Sequence, residues 1–574
     1  MHGGVRRAAL LALTTAATLL VLLVSIAGAE EVTQTQTFTT SDGKKLHTIL
    51  KGESPLEPRP LIVEVTPYAH ADMTAKFGAE YNHLIVHSRG TGLSNGQWDA
   101  VGSRDQQDVS EVLGWACNQS YSNGHIGLMG FSASAIAVYN SLRLPLPCVD
   151  AAAVGAGSYD LYRDLLYPGG IPNFVPAIAV GLGILGPMGQ AKLEQNTLAD
   201  AADATAGILK MGWNWISRPT QDDWWNDHNV KPGPNTFPIL AVTGFYDVES
   251  RGAFENYTAL KESHPGTKLR VIGAHDGSPA NMPLPWAQYG RWFDHYLRGV
   301  DNGIDREPNV RMLLSKGSHS SMLKGDVKQV DAADWPAPGT TWQRLYLDGN
   351  RFSDAAPEGP WWWRDMPSTQ TYPAVSSLAL ASDINTLATL GEVGTTTPFT
   401  SQMNFADPAS ATYTTPPLRN AVDTAGPANL KIWLSATAPE TDIHAVIADV
   451  FPDGRAFPVA QGRLRTSFPT INRSRSVYDS RGELVQPYGN FNSKNYALPL
   501  STREYNVEFW PIGNRFEAGH RLRLYIMGTS PLMIPPVPGI NSVVSGRTMP
   551  TRLLLPVLPG SNMCAAADLG SRCS

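Results

Sequence analysis

The residues best suited to chemistry lie in Gly130-Phe131-Ser132-Ala133-Ser134. This string follows an apolar run, Ile126-Gly127-Leu128-Met129-Gly130, and opens a helical stretch over residues 135–144. A serine at a sharp strand-to-helix turn is held in a strained conformation that only small neighbours tolerate. Its hydroxyl then stands above the sheet edge, beside the amides of a helix N-terminus. The usual pattern ends in glycine; Ser134 departs from it but is also small. A hydroxyl attacks only when a base takes its proton, and the base needs a carboxylate to orient it. Two later apolar runs end at such groups. Pro238-Ile239-Leu240-Ala241-Val242 leads to Asp247, and Leu269-Arg270-Val271-Ile272 leads to His275. The plain alternatives are a helix N-cap for Ser132 or Asp247 and a loop histidine, one of 13, for His275. The strand contexts and the order Ser, Asp, His favour a catalytic triad. Donors for an oxyanion are expected from the Ala133 amide and from Tyr68, which follows Val65-Thr66-Pro67; a buried structural tyrosine is the alternative. Phe131, Phe245, Trp224 and Trp225 are the aromatic candidates for substrate-pocket walls. Asp222, Asp223 and Asp227 near the tryptophan pair read as a solvated acidic helix rather than as an anchor for a substrate ammonium group.

These groups need a scaffold. Short β-rich runs, Leu61 to Val65 and Leu84 to Val86, alternate with helical spacing over residues 105–116, where Val109, Val112, Leu113 and Ala116 share a face. That alternation predicts a mostly parallel sheet covered by helices on both faces. Residues from about 155 to 235, rich in Gly, Pro, Ala and Trp, read as a helical insertion. Beyond about 315 many short strands with Gly and Pro punctuation predict an all-β sandwich.

Composition sets the outer limits. The chain has 574 residues, 45 Lys+Arg against 51 Asp+Glu, and a net charge of −6, so no basic excess points to nucleic acid. Met1 to Ala29 carries Arg6-Arg7, an apolar stretch and small residues before Glu30, and reads as a signal peptide. The alternative is a retained membrane anchor. Either way the body is expected outside the cytosol, secreted, periplasmic or on the cell surface, with membrane contact only if that segment stays. Four cysteines in an exported chain predict two disulfides, and local pairing, Cys117–Cys148 and Cys564–Cys573, is preferred among three connectivities. No Cys/His spacing suggests a metal, and no cofactor is expected.

Further strings give a resemblance. Thr66-Pro67-Tyr68, Arg89-Gly90-Thr91-Gly92-Leu93-Ser94-Asn95-Gly96, Gly244-Phe245-Tyr246-Asp247, Gly273-Ala274-His275, and Phe293 to Gly299 with Asn302-Gly303-Ile304 are similar to motifs of the cocaine-esterase-like, X-prolyl dipeptidyl-peptidase-like serine hydrolases. Thr441-Asp442 and Asp449 to Arg455 resemble the same family's C-terminal segment. The resemblance implies an α/β-hydrolase core over residues 30–315, a helical cap at about 155–235, and a C-terminal jelly roll over residues 316–574. It implies Ser132 as nucleophile, Asp247 as acid, His275 as base, and Tyr68 with Ala133 as oxyanion hole. The expected substrate is a small ester or a short peptide or amide, without a claim of prolyl specificity. His87, where the family commonly has Asp, and Phe245 and Ala274 near the acid and base, depart from its patterns. Competing readings are an acyltransferase using the same triad and a non-catalytic carbohydrate-binding surface protein.

Overall fold

The computed structural model describes residues 31–68, 77–173, 197–273, 285–374, 402–530 and 533–573. The first half is built on one twisted sheet. Its strands are β1 (Glu31–Thr39), β2 (Lys45–Glu53), β3 (Arg59–Thr66), β4 (Asn82–His87), β5 (Ser122–Phe131), β6 (Val149–Gly155), β7 (Ile239–Gly244), β8 (Lys268–Gly273), β9 (Val310–Ser315) and β10 (Val327–Ala332). The spatial order is β1-β2-β4-β3-β5-β6-β7-β8-β9-β10, parallel from β4 to β9 and antiparallel at both ends. The helices are α1 (Ser103–Cys117), α2 (Ala133–Ser141), α3 (Leu198–Ser217), α4 (Asp223–Asp227), α5 (Ser250–Leu260) and α6 (Pro285–Arg298).

Alternation along the strands explains why both sheet faces are covered. Leu61, Val63 and Val65 of β3 point to one side, into a cluster with Val109, Val112 and Leu113 of α1 and Ala135 and Val138 of α2. Ile62 of β3 and Met129 of β5 point to the other, where Tyr289, Trp292, Phe293 and Leu297 of α6 cover them. Near-continuous apolar strands are what a parallel sheet buried on both faces requires. Between β6 and β7 the chain leaves the sheet and includes a π-helical turn, Tyr162–Leu166, then α3 and α4. The apolar, glycine-broken run from Phe174 to Gly186, whose sequence reads as a cap helix, lies outside the described residues, as do residues 1–30 with Arg6, Arg7 and the apolar stretch. Among the described residues no helix is long and apolar enough to cross a membrane.

The C-terminal half is antiparallel β-structure. Its ladders run round in a ring. Thr341–Asp348 pairs with Arg552–Val557, which pairs with the long strand Val422–Ala436. That strand pairs with Arg503–Phe516 and onward through Ala456–Arg465, Asp442–Val450, Arg521–Met527 and Ala411–Thr414 to Arg351–Ser353, back beside the first. Val422–Ala436 pairs along nearly its whole length with Arg503–Phe516 and, on its other edge, with Arg552–Val557 and then Gly539–Ser545. It bends at a register shift between Gly426 and Ala428. A parallel bridge between Ser315 of β9 and Asn514 joins the halves into one continuous sheet. The Asn514 carboxamide accepts from Ser315 Oγ at 2.8 Å and donates to Asp449 at 3.1 Å.

Both expected disulfides are present. Cys117 at the end of α1 is bonded to Cys148 before β6, and Cys564 is bonded to Cys573.

Candidate active site

Ser132 sits between β5 and α2 with φ 51° and ψ −121°, outside the basins an L-residue ordinarily occupies. The conformation is held from both sides. Its N–H donates to the Gly155 carbonyl at the end of β6 (2.9 Å), and its carbonyl accepts from Ile136 N–H (3.0 Å). Gly130 is required by close approach: a Cβ there would stand 2.6 Å from the backbone of Ser134 and Ala135. Ser134 is fully buried, and among the described residues its hydroxyl has no hydrogen-bond partner, so what the position requires is a small side chain. Ala133 is the first residue of α2, where helix amides have no intrahelical acceptor.

Asp247 follows β7 and is fully buried. It accepts from the Thr243 hydroxyl at 3.1 Å and from the Glu249 N–H at 2.9 Å. β8 lies beside β7, with Gly273 opposite Gly244. His275 comes two residues after Gly273 and lies outside the described residues. Tyr68 is two residues past the end of β3, half-buried, with its N–H donating to Thr66 Oγ1 at 3.2 Å. Tyr68, Ser132 and Asp247 thus follow the C-terminal ends of β3, β5 and β7, all on one edge of the parallel sheet. β3 and β5 are neighbours, and β5 and β7 are separated by β6 alone, about 10 Å at ordinary strand spacing.

The aromatic pocket candidates divide. Phe131 and Trp224 are half-buried. Trp225 is a correction: it is fully buried, donates its indole N–H to the Arg218 carbonyl at 3.0 Å, and packs edge-on to Tyr162 and Tyr167. Phe245 is a second correction. Its ring lies over Gly513 of the C-terminal half, stacked on Phe254 and near Trp335, so it cements the two halves together. An apolar side chain beside a motif reads alike in sequence whether it faces a pocket or a domain boundary. Two of the three acidic side chains near Trp224 are engaged, Asp222 capping α4 and pairing with Arg218 and Asp227 pairing with Arg143 at 3.1 Å, while Asp223 is exposed.

Several supporting groups were not legible beforehand. The loop after β4 is tied down by Arg89, which makes a two-pronged contact with Asp108 of α1 (2.5 and 2.8 Å) and also reaches Asp42. His87 fills the space that Gly92 leaves; a Cβ on Gly92 would fall onto the imidazole. Asp105, buried beside Asp108 and Asp99, has its carboxyl pushed up to about 7 by burial and these like charges, against the Val101 N–H and Arg89. Tyr289 of α6 brings its hydroxyl under the site, where a Cβ on Gly155 would approach it to 2.6 Å. Burial, with the nearby Tyr139, Asp247 and Glu64, raises its pKa far above the ordinary phenol value. His228 has both ring nitrogens near carbonyl oxygens, Trp224 at 2.7 Å and Asp99 at 3.0 Å, and its pKa is raised: burial opposes the charge, and the Asp99 carboxylate, the Trp224 carbonyl and the charge of Asp227 outweigh it. An aspartate or histidine in a loop carries no local mark of such distant partners. Among the described residues no group of three His, Cys, Asp or Glu side chains is placed to hold a metal.

Comparison with known proteins accords with this layout. The family model for X-Pro dipeptidyl-peptidases of the S15 family matches residues 42–275, and the model for the X-Pro dipeptidyl-peptidase C-terminal non-catalytic domain matches residues 302–548. The chain belongs to the cocaine-esterase-like, X-prolyl dipeptidyl-peptidase-like family. It is a serine hydrolase acting on ester or amide bonds. A cocaine esterase of Rhodococcus is 23% identical over 76% of this chain and 84% of its own length. A putative Xaa-Pro dipeptidyl-peptidase of Streptomyces avermitilis is 24% identical over 79% of this chain and 68% of its own. Among solved structures, a CocE/NonD family hydrolase from Staphylococcus aureus has a TM-score of 0.71 at 18% identity, covering 92% of this chain and 93% of that one. An α-amino acid ester hydrolase has a TM-score of 0.70 at 18% identity, covering 93% and 97%. These similarities give an α/β-hydrolase-type core followed by a C-terminal non-catalytic domain.

Proposed function

We propose that this hydrolase works through a covalent acyl-enzyme formed on Ser132. His275 takes the hydroxyl proton, Asp247 orients the imidazole, and Ser132 attacks the substrate carbonyl. The oxyanion is held between the Ala133 amide and the Tyr68 hydroxyl. His275 then protonates the leaving alcohol or amine, and water repeats the cycle. The observation that carries this reading is the backbone of Ser132, φ 51° and ψ −121° at a strand-to-helix turn whose edge also bears Asp247 and Tyr68. Strain of that kind persists only where surrounding structure enforces it.

On this reading the α3–α4 region is a helical cap over the site, and the C-terminal half is a jelly roll. The chain is exported by the segment before Glu30, a location consistent with its two disulfides. The substrate is a small ester or amide. The carboxylates Asp222 and Asp227 are already paired, which weighs against their anchoring a substrate ammonium group.

A fluorophosphonate probe tests the proposal. Labelling of the wild-type protein that disappears in Ser132→Ala and falls sharply in Asp247→Asn is expected. Labelling that survives Ser132→Ala in folded protein would remove Ser132 as the nucleophile. Paired assays on an acyl nitrophenyl ester and an Xaa-Pro nitroanilide then rank ester against prolyl-amide cleavage.

A further inference from the structure

A narrow cleft lies where the hydrolase core meets the C-terminal half. Arg163 of the π-helical turn and Arg251 of α5 line it from one side, and Arg463, Asn506, Glu508 and Trp510 from the other. The side chains of Arg163 and Arg251 are each 3% exposed. Their partners leave donors over. Arg163 Nη2 donates to the Gly489 carbonyl, and its Nε lies 3.3 Å from Asp160 without hydrogen-bond alignment. Among the described residues Arg163 Nη1 has no hydrogen-bond partner, the guanidinium carbon lying 3.5 Å from the centre of the Tyr488 ring. Arg251 Nη1 meets Asp164 (2.7 Å) and Glu255 (2.8 Å), and its Nε meets Glu508 (3.1 Å). Among the described residues Arg251 Nη2 has no hydrogen-bond partner. Guanidinium N–H groups left unbonded in the interior are costly, so an acceptor in the cleft is strongly favoured.

The cleft limits what that acceptor is. Its volume of ≈ 20 Å³ admits a small ion or a single water and excludes organic molecules. The carboxylates nearby are already paired, Glu508 with Arg251 and Gln486, and Asp160, Asp164 and Glu255 against Arg163 and Arg251, so an anion would be held by the unused N–H donors rather than by net positive charge. The two arginines that carry these donors line the cleft together with Arg463, and Trp510 adds an apolar wall stacked on Arg463. We propose that the cleft is a binding site for a small monovalent inorganic anion of chloride size, held by Arg163 and Arg251.

The consequence follows from what the arginines are attached to. α5 begins at Ser250, whose N–H donates to the Asp247 carbonyl at 3.1 Å. Arg251 is the next residue. An ion bridging Arg251 and Arg163 against the strand Arg503–Phe516 pins the start of α5, and with it the Asp247 loop, to the C-terminal half. Anion occupancy therefore stabilises the junction between the two halves.

The test uses the full chain in sodium gluconate, chloride or bromide at equal ionic strength. Chloride and bromide are expected to raise the melting temperature by about 1–3 °C over gluconate, saturably. The shift is expected to vanish in Arg163→Gln and to persist in part in Arg163→Lys. Chloride-35 NMR of the wild-type protein gives an arm independent of the variants: line broadening that bromide competes away is expected. A bromide-soaked crystal should show an anomalous peak between Arg163 and Arg251. Equal melting temperatures at matched ionic strength would overturn the proposal, as would water alone in the bromide-soaked cleft.

Discussion

Ser132 is held where an L-residue is strained, and that strain is measurable by comparing two inactive variants. Ser132→Ala and Ser132→Gly both remove the hydroxyl, so they differ in the Cβ alone. At φ 51° and ψ −121° a Cβ costs about 1–3 kcal/mol, a cost glycine does not bear. Against this, glycine loses more backbone entropy on folding, about 0.4–1 kcal/mol relative to alanine. The difference leaves Ser132→Gly more stable than Ser132→Ala by about 1 kcal/mol. In a hydrolase core of this size that corresponds to roughly 2–4 °C in melting temperature. Urea titration with both fluorescence and circular dichroism, beside scanning calorimetry, measures it, and the slopes should match so that only the midpoint moves. Neither variant should react with a fluorophosphonate. Refutation is direct: a Ser132→Gly protein no more stable than Ser132→Ala would mean that the turn stores no strain at this residue. The strongest support for Ser132 as nucleophile would then be lost.

Gly130→Ala should lose about 1–3 kcal/mol of stability and most activity, because its new Cβ meets backbone of α2 at 2.6 Å and the helix must shift; unchanged activity and melting would refute that packing. Tyr68→Phe should slow turnover at least tenfold, toward the roughly 3 kcal/mol expected for one oxyanion donor, with melting unchanged; near-normal kcat removes Tyr68 from the mechanism. Asp105 carries a pH dependence of defined sign. Burial raises its carboxyl from an ordinary 3.8 to about 7, so the folded state holds a proton that the unfolded chain has released. That stabilisation is full below about 4 and is lost as pH rises through about 7, on the order of 4 kcal/mol in all. The melting temperature of Asp105→Asn should therefore gain on wild type between pH 5 and 9, and a constant offset would count against the assignment. Replacing Cys117 and Cys148 by serine opens a loop spanning a sequence separation of 31 and should cost about 3–4 kcal/mol, read as a lower urea midpoint.

Local chemistry made much of this protein readable from its sequence. Apolar runs such as Leu61 to Val65 and Ile126 to Gly130 announce strands buried on both faces, and the interleaved helical periods announce a parallel sheet. Small residues at 130 and 134 announce the turn at Ser132, because close approach is a property of residue size. The cysteine pairing is legible because short separations favour local closure. β1, by contrast, is written in Thr and Gln and lies exposed along β2, so no apolar alternation betrays it. The ring of ladders in the C-terminal half, the burial of Trp225, and the turning of Phe245 onto Gly513 were decided by tertiary structure. So were the grip of Arg89 on Asp108 and the contacts of Arg163 with Gly489 and of Arg251 with Glu508 across the domain junction. The physical reason is range. Periodicity, turn sterics and residue size act over a few residues and leave their mark on the local string. Charge pairing and aromatic packing join residues tens to hundreds of positions apart, and no local string records which partner the folded chain will bring.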